Sequence, residues 1–399
     1  MKNKRCLVLL KTVFLITILF CTFNISQVKA EDEHIRNTII EEQSQTGEIR
    51  SIKDNLQRYK HKDIEEIIPG YNPQNIISDV AKGKFEFNIM GILNGILMFL
   101  FKEIYLNIYI LVRLMVLVVL CALLKNLQST YLSKNVGELA FYVCYIALVS
   151  ILLVGFNTAV SAGREIIDTM VHFMYACIPV LIALLISTGN ITTGGVLQPL
   201  LIMIVQTFAT IIKNILIPLL MLSTIISVVD NISEKIQVAR LAAFLKTITT
   251  WSLGFILTIF IAIVAIQGSL GAVVDGVTSK TAKFAIGLFI PVAGKYLADA
   301  ADTVIGCTLL IKNAVGASIM IGIIVICLLP ILKMLAIVIL YKITAILLEP
   351  IAEARIIKCI NNVADSMAVL LGIIASVAFM FLITITALIT AGNLSAMVR

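Results

Sequence analysis

From Val196 to Val229 the chain reads VLQPLLIMIVQTFATIIKNILIPLLMLSTIISVV, an apolar run whose only charge is Lys213 and which holds Pro199 and Pro218. A helix crosses the hydrocarbon core of a bilayer with about 20 residues. The run is therefore too long for one straight crossing. It reads as a broken or kinked pair of membrane helices, with the prolines as points of interruption.

The rest of the chain agrees on the medium. Of 399 residues, 59% are hydrophobic and 14% charged, and the mean hydropathy is +1.01; soluble domains carry about 25% charged residues. No stretch shows the ten-residue alternation of a membrane β-barrel. The expected fold is an all-α polytopic membrane protein with about 7–9 hydrophobic helices, some broken or re-entrant.

Upstream of the run lies an uncharged turn, Thr188 to Gly195, and before it an apolar segment, Val171 to Ser187, with Pro179 inside. Arg164, Glu165 and Asp168 separate that segment from a span at Leu139 to Ala159. Another span, Tyr105 to Leu124, is interrupted by Arg113. The loop holding Lys125 and Lys134 is placed in the cytoplasm by the positive-inside rule. Phe85 to Phe101 is short and holds Gly91 and Gly95, a spacing that permits close helix approach; an interfacial or re-entrant helix explains it as well.

Residues 1–30 carry five bases and no acid around an apolar core, and end in Val28-Lys29-Ala30. They read as a signal peptide. Residues 31–84 are polar and read as an exported segment. Ile49, Ile52, Leu56, Ile64, Ile67 and Ile68 form an amphipathic helix ended by Pro69-Gly70, and a second short helix runs through Asn75 to Lys82. A lone amphipathic helix cannot bury its own stripe, so packing on the membrane domain is expected.

Downstream, Asp230 to Lys246 is a charged connector and Trp251 to Gln267 a span whose tryptophan suits a membrane interface. Then comes FAIGLFIPVAGKYLADAADTVIGCTLLIK (284–312). Lys295, Asp299 and Asp302 are spaced i, i+4, i+7 and share one face of a helix. With Lys312 they form a candidate charged face of a pathway, because ionisable groups within membrane segments mark cavities or partner surfaces. A helix at the interface with its charges in water, or a structural Lys295–Asp299 pair, explains the pattern too.

Two prolines recur in register. At an offset of 112, Pro179 falls on Pro291, Pro218 on Pro330 and Gly194 on Gly306. Broken segments at matching positions of two halves point to a site near the midplane of a transporter. The expected organisation is a signal peptide (1–30), the exported segment (31–84), first membrane helices (85–164) and two related halves (165–268 and 278–392). Pro179, Gly194, Gly195, Pro218, Pro291 and Pro330 are the expected helix-break positions.

No catalytic or metal-ligating set stands out. GLFIPVAGK (287–295) fails as a phosphate loop in its glycine spacing and at Tyr296. The six cysteines beyond residue 30 form no CxxC pair. No cofactor, no enzymatic activity and no nucleic-acid surface are expected, since the bases are scattered over short loops.

Three stretches, IIPGYNPQNIISDVAKGKFEFN (67–88), STGNITTGGVLQPLL (187–201) and FIPVAGKYLADAADTVIGCTLLIKNAVG (289–316), resemble the stage III sporulation protein AE family of endospore-forming bacteria. The resemblance covers nearly the whole chain. It implies a multi-pass protein of the mother-cell membrane around the forespore, acting in a channel or secretion-like complex. The implied partners are other stage III sporulation A-operon membrane proteins, stage II sporulation protein Q and an ATPase supplied in trans, within the lipid bilayer. A stand-alone secondary transporter of a small solute and a structural membrane scaffold are the alternative readings.

Overall fold

Inside a bilayer there is no water to bond the backbone, so N–H and C=O groups must be satisfied within each segment. The computed structural model of the chain meets that demand with helices, and among its described residues there is no strand. It describes residues 75–81, 88–130, 134–231, 238–289 and 293–398, with isolated positions 50, 53, 54, 57, 67 and 72; over 293–305 only the backbone is described. Contacts divide the chain into residues 1–39 and 40–399, and every described residue belongs to the second unit. The expected signal peptide and most of the amphipathic helix lie outside the described residues.

The described helices are α1 (Ile76–Ala81), α2 (Ile89–Leu106), α3 (Ile108–Thr130), α4 (Lys134–Ser187), α5 (Ile191–Ile211), α6 (Ile217–Asp230), α7 (Ala239–Phe289), α8 (Ala293–Leu348) and α9 (Ala354–Val398). A π turn, Ile212–Leu216, joins α5 to α6. Counting that joined rod once, seven helical segments among the described residues are long and apolar enough to cross a membrane. The chain is an all-α polytopic membrane protein.

The run 196–229 is not split into two helices. It forms one rod, with Pro199 inside α5 and Pro218 at the start of α6 directly after the π turn. Proline at the first helical positions loses no hydrogen bond, and the π turn takes up the mismatch. The expected interruption is a local widening of the backbone around Lys213.

Charges do not end helices here either. α4 passes through Arg164, Glu165 and Asp168 without a break and contains Pro179. At 54 residues it is ~81 Å long at 1.5 Å per residue, well beyond the ~45 Å of a bilayer with its headgroups. The boundary expected at 164/165 thus falls inside one helix. The link expected between 268 and 278 falls inside α7. Pro330 also lies within a helix, α8. Pro291 lies outside the described residues, between the end of α7 and the start of α8. The helix boundaries therefore do not repeat at the offset that aligns the prolines.

The break between α4 and α5 is made by Gly189 instead, at φ 81°. Its N–H donates to Ile186 O at 2.8 Å and that of Asn190 donates to Leu185 O at 3.3 Å, the paired bonds of a glycine-ended helix. Gly194 and Gly195 lie just inside α5. A Cβ at Gly194 would meet Ile186 at 2.4 Å, whereas one at Gly195 would meet nothing within 4 Å. Gly194 lets the two helices approach closely; Gly195 has no such neighbour.

α9 packs on α4, α6, α7 and α8 and forms the centre of the bundle. The connections after α3, α6 and α8 meet at one end, shown by Lys125 Nζ 2.8 Å from Glu353 Oε1 and by Tyr145 Oη donating to Asn231 O at 3.0 Å. Trp251 stands toward this end of α7, 77% exposed. The short helix expected at Asn75–Lys82 is α1. Ile67, Ile76 and Ile77 are buried in the main core, and α1 packs on α8. This part of the polar segment is seated on the membrane domain, as its apolar stripe requires.

Candidate functional site

Asn107 separates α2 from α3. Its backbone N–H donates to Glu103 O at 3.1 Å, and its side-chain amide donates to the same carbonyl at 2.8 Å and to Glu103 Oε2 at 3.3 Å. These bonds fix the Glu103 carboxylate at the joint. Lys333 of α8 brings its ammonium to 3.7 Å from Glu103 Oε1. Glu103 is buried while the Lys333 side chain is half-exposed.

Behind this pair is a cavity of about 810 Å³ between the α2–α3 joint, α4 and α8. Along α4 it is lined by Gly155, Thr158, Ala159, Ala162, Glu165 and Thr169, which fall on one face at helical spacing. α8 contributes Pro330, Lys333 and Tyr341, and α3 contributes Arg113. Arg113 stacks over the Tyr109 ring at 5.8 Å, a favourable cation–π placement.

Small and constrained residues make this space. A Cβ on Gly155 would lie 2.4 Å from the Tyr341 hydroxyl, so glycine is what lets α4 and α8 meet there. Pro330 has no N–H for the carbonyl of Ile326 one turn earlier, and both residues line the cavity. Ser150 and Thr158 donate to carbonyls of their own helix, Ile146 O and Val154 O. Their hydroxyl oxygens remain able to accept.

A second charged contact ties α4 to the π turn. Lys213 Nζ lies 2.6 Å from Asp168 Oδ1. On the same stretch of α4, Arg164 Nη2 approaches Met221 Sδ at 3.7 Å, and Arg164 Nε is buried without a hydrogen-bond partner. Lys342 of α8 pairs with Asp365 of α9 at 2.5 Å. Lys333 and Lys342 thus find their counter-charges in Glu103 and Asp365.

Of the expected charged face, Lys295, Asp299 and Asp302 lie on the continuous helix α8, but their side chains are outside the described residues. Lys312 is 1% exposed and donates to Ile389 O of α9 at 2.9 Å, so it ties two helices together within the bundle. Glu103, Glu165 and Lys333 were not among the expected site residues. What could have found them is that Arg113 and Lys333 each interrupt a long apolar run alone, and such groups require polar company.

The fold and this cavity define a class: a polytopic helical membrane protein with ionisable groups from several helices gathered around one cavity. The family model of stage III sporulation protein AE matches residues 71–392. The stage III sporulation protein AE of Bacillus subtilis (strain 168) is 35% identical over 323 residues, covering 81% of this chain and 81% of that protein. The chain belongs to the stage III sporulation protein AE family. No solved structure matches it.

Proposed function

We propose that this chain is a non-enzymatic membrane subunit of a sporulation channel or secretion-like apparatus between mother cell and forespore, and that the cavity between α3, α4 and α8 forms part of its transport path. The observation that carries this reading is the gathering of Arg113, Glu165 and Lys333 from three helices around one space. Ionisable groups within apolar segments are retained where they line a water-filled cavity or a pathway. Lys295, Asp299 and Asp302 extend the same reading along α8.

In this reading the chain sits in the mother-cell membrane around the forespore. The end bearing Lys125 and Arg355 faces the cytoplasm, and the polar segment before α2 faces the intermembrane space after export, with α2 an interfacial helix and α3 the first crossing. Other stage III sporulation A-operon proteins and stage II sporulation protein Q complete the assembly, and an ATPase acting in trans supplies the energy. Family membership supports these partners.

Reconstitution of the purified chain in liposomes tests the reading. Without partners, no solute is expected to accumulate under an ion gradient. Gradient-driven uptake by the chain alone would overturn the apparatus reading in favour of a stand-alone permease. If Asp299→Asn and Asp302→Asn, or neutralised cavity charges, leave sporulation normal, the chain serves as a scaffold instead.

A further inference from the structure

Two rods of the bundle are too long for the bilayer that holds them. α4 is ~81 Å long, and α5, the π turn and α6 together run ~60 Å from Ile191 to Asp230. A bilayer with its headgroups is ~45 Å thick, so part of each rod stands in water. The side chains left exposed along the rods show which part.

The rod from Ile191 to Asp230 changes character at Lys213. On the α6 side, its exposed side chains after Asn214 are Ile215, Leu222, Ile225 and Val229. On the α5 side they include Gln206, Thr207 and Thr210, with Met203 further out and Ile191 beside the turn. α4 changes in the same sense. Near its beginning it exposes Leu139, Val143 and Ile146, which share one face, and beyond Asp168 it exposes His172.

The polar groups beyond Asp168 and Lys213 meet across the two rods. Tyr175 Oη donates to Gln206 Oε1, and Gln206 Nε2 donates to Thr210 Oγ1 at 3.5 Å. Asp168 and Tyr175 are seven residues apart, as are Gln206 and Lys213, so the two contacts hold α4 and α5 antiparallel and in step. His172 lies between them on the face of Asp168 and Tyr175. The result is a polar seam that starts at the Asp168–Lys213 pair and runs toward Gly189. Lipid tails offer such groups no hydrogen bonds. The apolar residues Ile178, Leu181, Leu185, Leu201 and Val205 of the same stretch are buried in the core, so water beside it meets the seam rather than them.

Helix rise gives the level of the change. From the contact of Tyr145 with Asn231, Asp168 is ~35 Å along α4 and Lys213 ~27 Å along α6. Asn107, at the other end of α3, is ~27 Å from Lys125, whose ammonium meets Glu353 at that same end of the bundle. All three distances are close to the ~30 Å of the hydrocarbon core.

We infer that lipid covers these rods from the Lys125–Glu353 end to the level of Asp168 and Lys213, and that the α4–α5 hairpin beyond that pair projects ~30 Å into water on the opposite side. The exposed apolar faces of α6 and of the first half of α4 are the surface that meets lipid. The seam of His172, Tyr175, Gln206 and Thr210 is a solvated face. That this water is the intermembrane space rests on the orientation proposed above; the projection itself does not.

The test uses the full-length chain freed of native cysteines and reconstituted in phosphatidylcholine vesicles. Spin labels are attached in Thr207→Cys, Thr210→Cys, Leu222→Cys and Ile225→Cys. Their collisions with oxygen, which concentrates in lipid, and with a neutral nickel chelate, which stays in water, are read by electron paramagnetic resonance. The chelate is expected to prevail at 207 and 210 and oxygen at 222 and 225, a reversal of the collision ratio across Lys213. Thr207 is outside the Tyr175–Gln206–Thr210 chain, so Thr207→Cys reports the level even if Thr210→Cys disturbs the seam. Oxygen prevailing at 207 as it does at 222 would overturn the inference. A membrane-impermeant maleimide added to intact protoplasts then reads the side. Reaction at 207 before lysis supports the exported projection; reaction only after lysis keeps the projection and overturns the proposed orientation.

Discussion

Lys213, inside the π turn, lies 2.6 Å from the carboxylate of Asp168 on α4, and the two side chains are only 34% and 45% exposed. The widened turn and the ion pair occur together, so the backbone irregularity serves to place a charge where α4 offers its counter-charge. Removing Lys213 leaves Asp168 without that partner in a mostly apolar setting. Lys213→Ala is expected to cost about 1–3 kcal/mol, between an exposed and a buried pair. The double variant Asp168→Asn/Lys213→Gln should recover part of that loss. Unfolding titrations in detergent of the single and double variants measure the coupling.

Gly155 and Tyr341 test the wall of the cavity. Tyr341 is 2% exposed, so its ring has little room to yield to a new methyl group. Gly155→Ala is expected to destabilise the chain by about 1–3 kcal/mol, as overpacking does. Tyr341→Phe removes the hydroxyl that the methyl would strike, and combining it with Gly155→Ala should restore stability. A double-mutant cycle on thermal midpoints gives the answer.

The α4–α5 turn offers three glycines with three different expectations. Gly189→Ala forces a side chain into the left-handed region at a cost of about 1–2 kcal/mol. Gly194→Ala drives a methyl against Ile186 and should also destabilise. Gly195→Ala has open space and a helical backbone, so it should stabilise by about 0.5–1 kcal/mol. Detergent unfolding is expected to show Gly189→Ala and Gly194→Ala destabilised and Gly195→Ala stabilised.

These contrasts show what was legible in the sequence. Run length and charge content established helices in a bilayer, and the short pattern at 75–82 gave α1. The Gly/Thr-rich stretch held the real break at Gly189. Arg164, Glu165 and Asp168 looked like the end of a span because a charge is costly only while it lacks a partner. Asp168 has one at Lys213, on a different helix, and periodicity along the chain carries no record of such pairing. Lys333 was hard to place for the same reason, since Glu103 lies more than half the chain away. Prolines 179 and 330 looked like breaks, yet long helices packed on their neighbours absorb a missing hydrogen bond.

Lys333 separates function from stability. Its side chain is 51% exposed but its partner Glu103 is buried; Glu103 keeps its bond from the Asn107 amide and glutamine keeps a donor, so Lys333→Gln should cost about 1–2 kcal/mol. If the cavity is part of a path, sporulation should nevertheless fail in a strain carrying this variant at normal protein levels. Spore counts beside membrane abundance check both halves of the expectation.

The central claim is that water reaches the cavity between α3, α4 and α8. In a variant freed of native cysteines, Thr158→Cys and Thr169→Cys place thiols on its wall, and Val116→Cys places one on an exposed apolar position of α3. Labelling in intact membranes with a charged, membrane-impermeant thiol reagent is the direct measurement. Modification of positions 158 and 169 with none at 116 is the predicted result. Failure of both wall positions to react, in protein that is folded and inserted, would contradict the account.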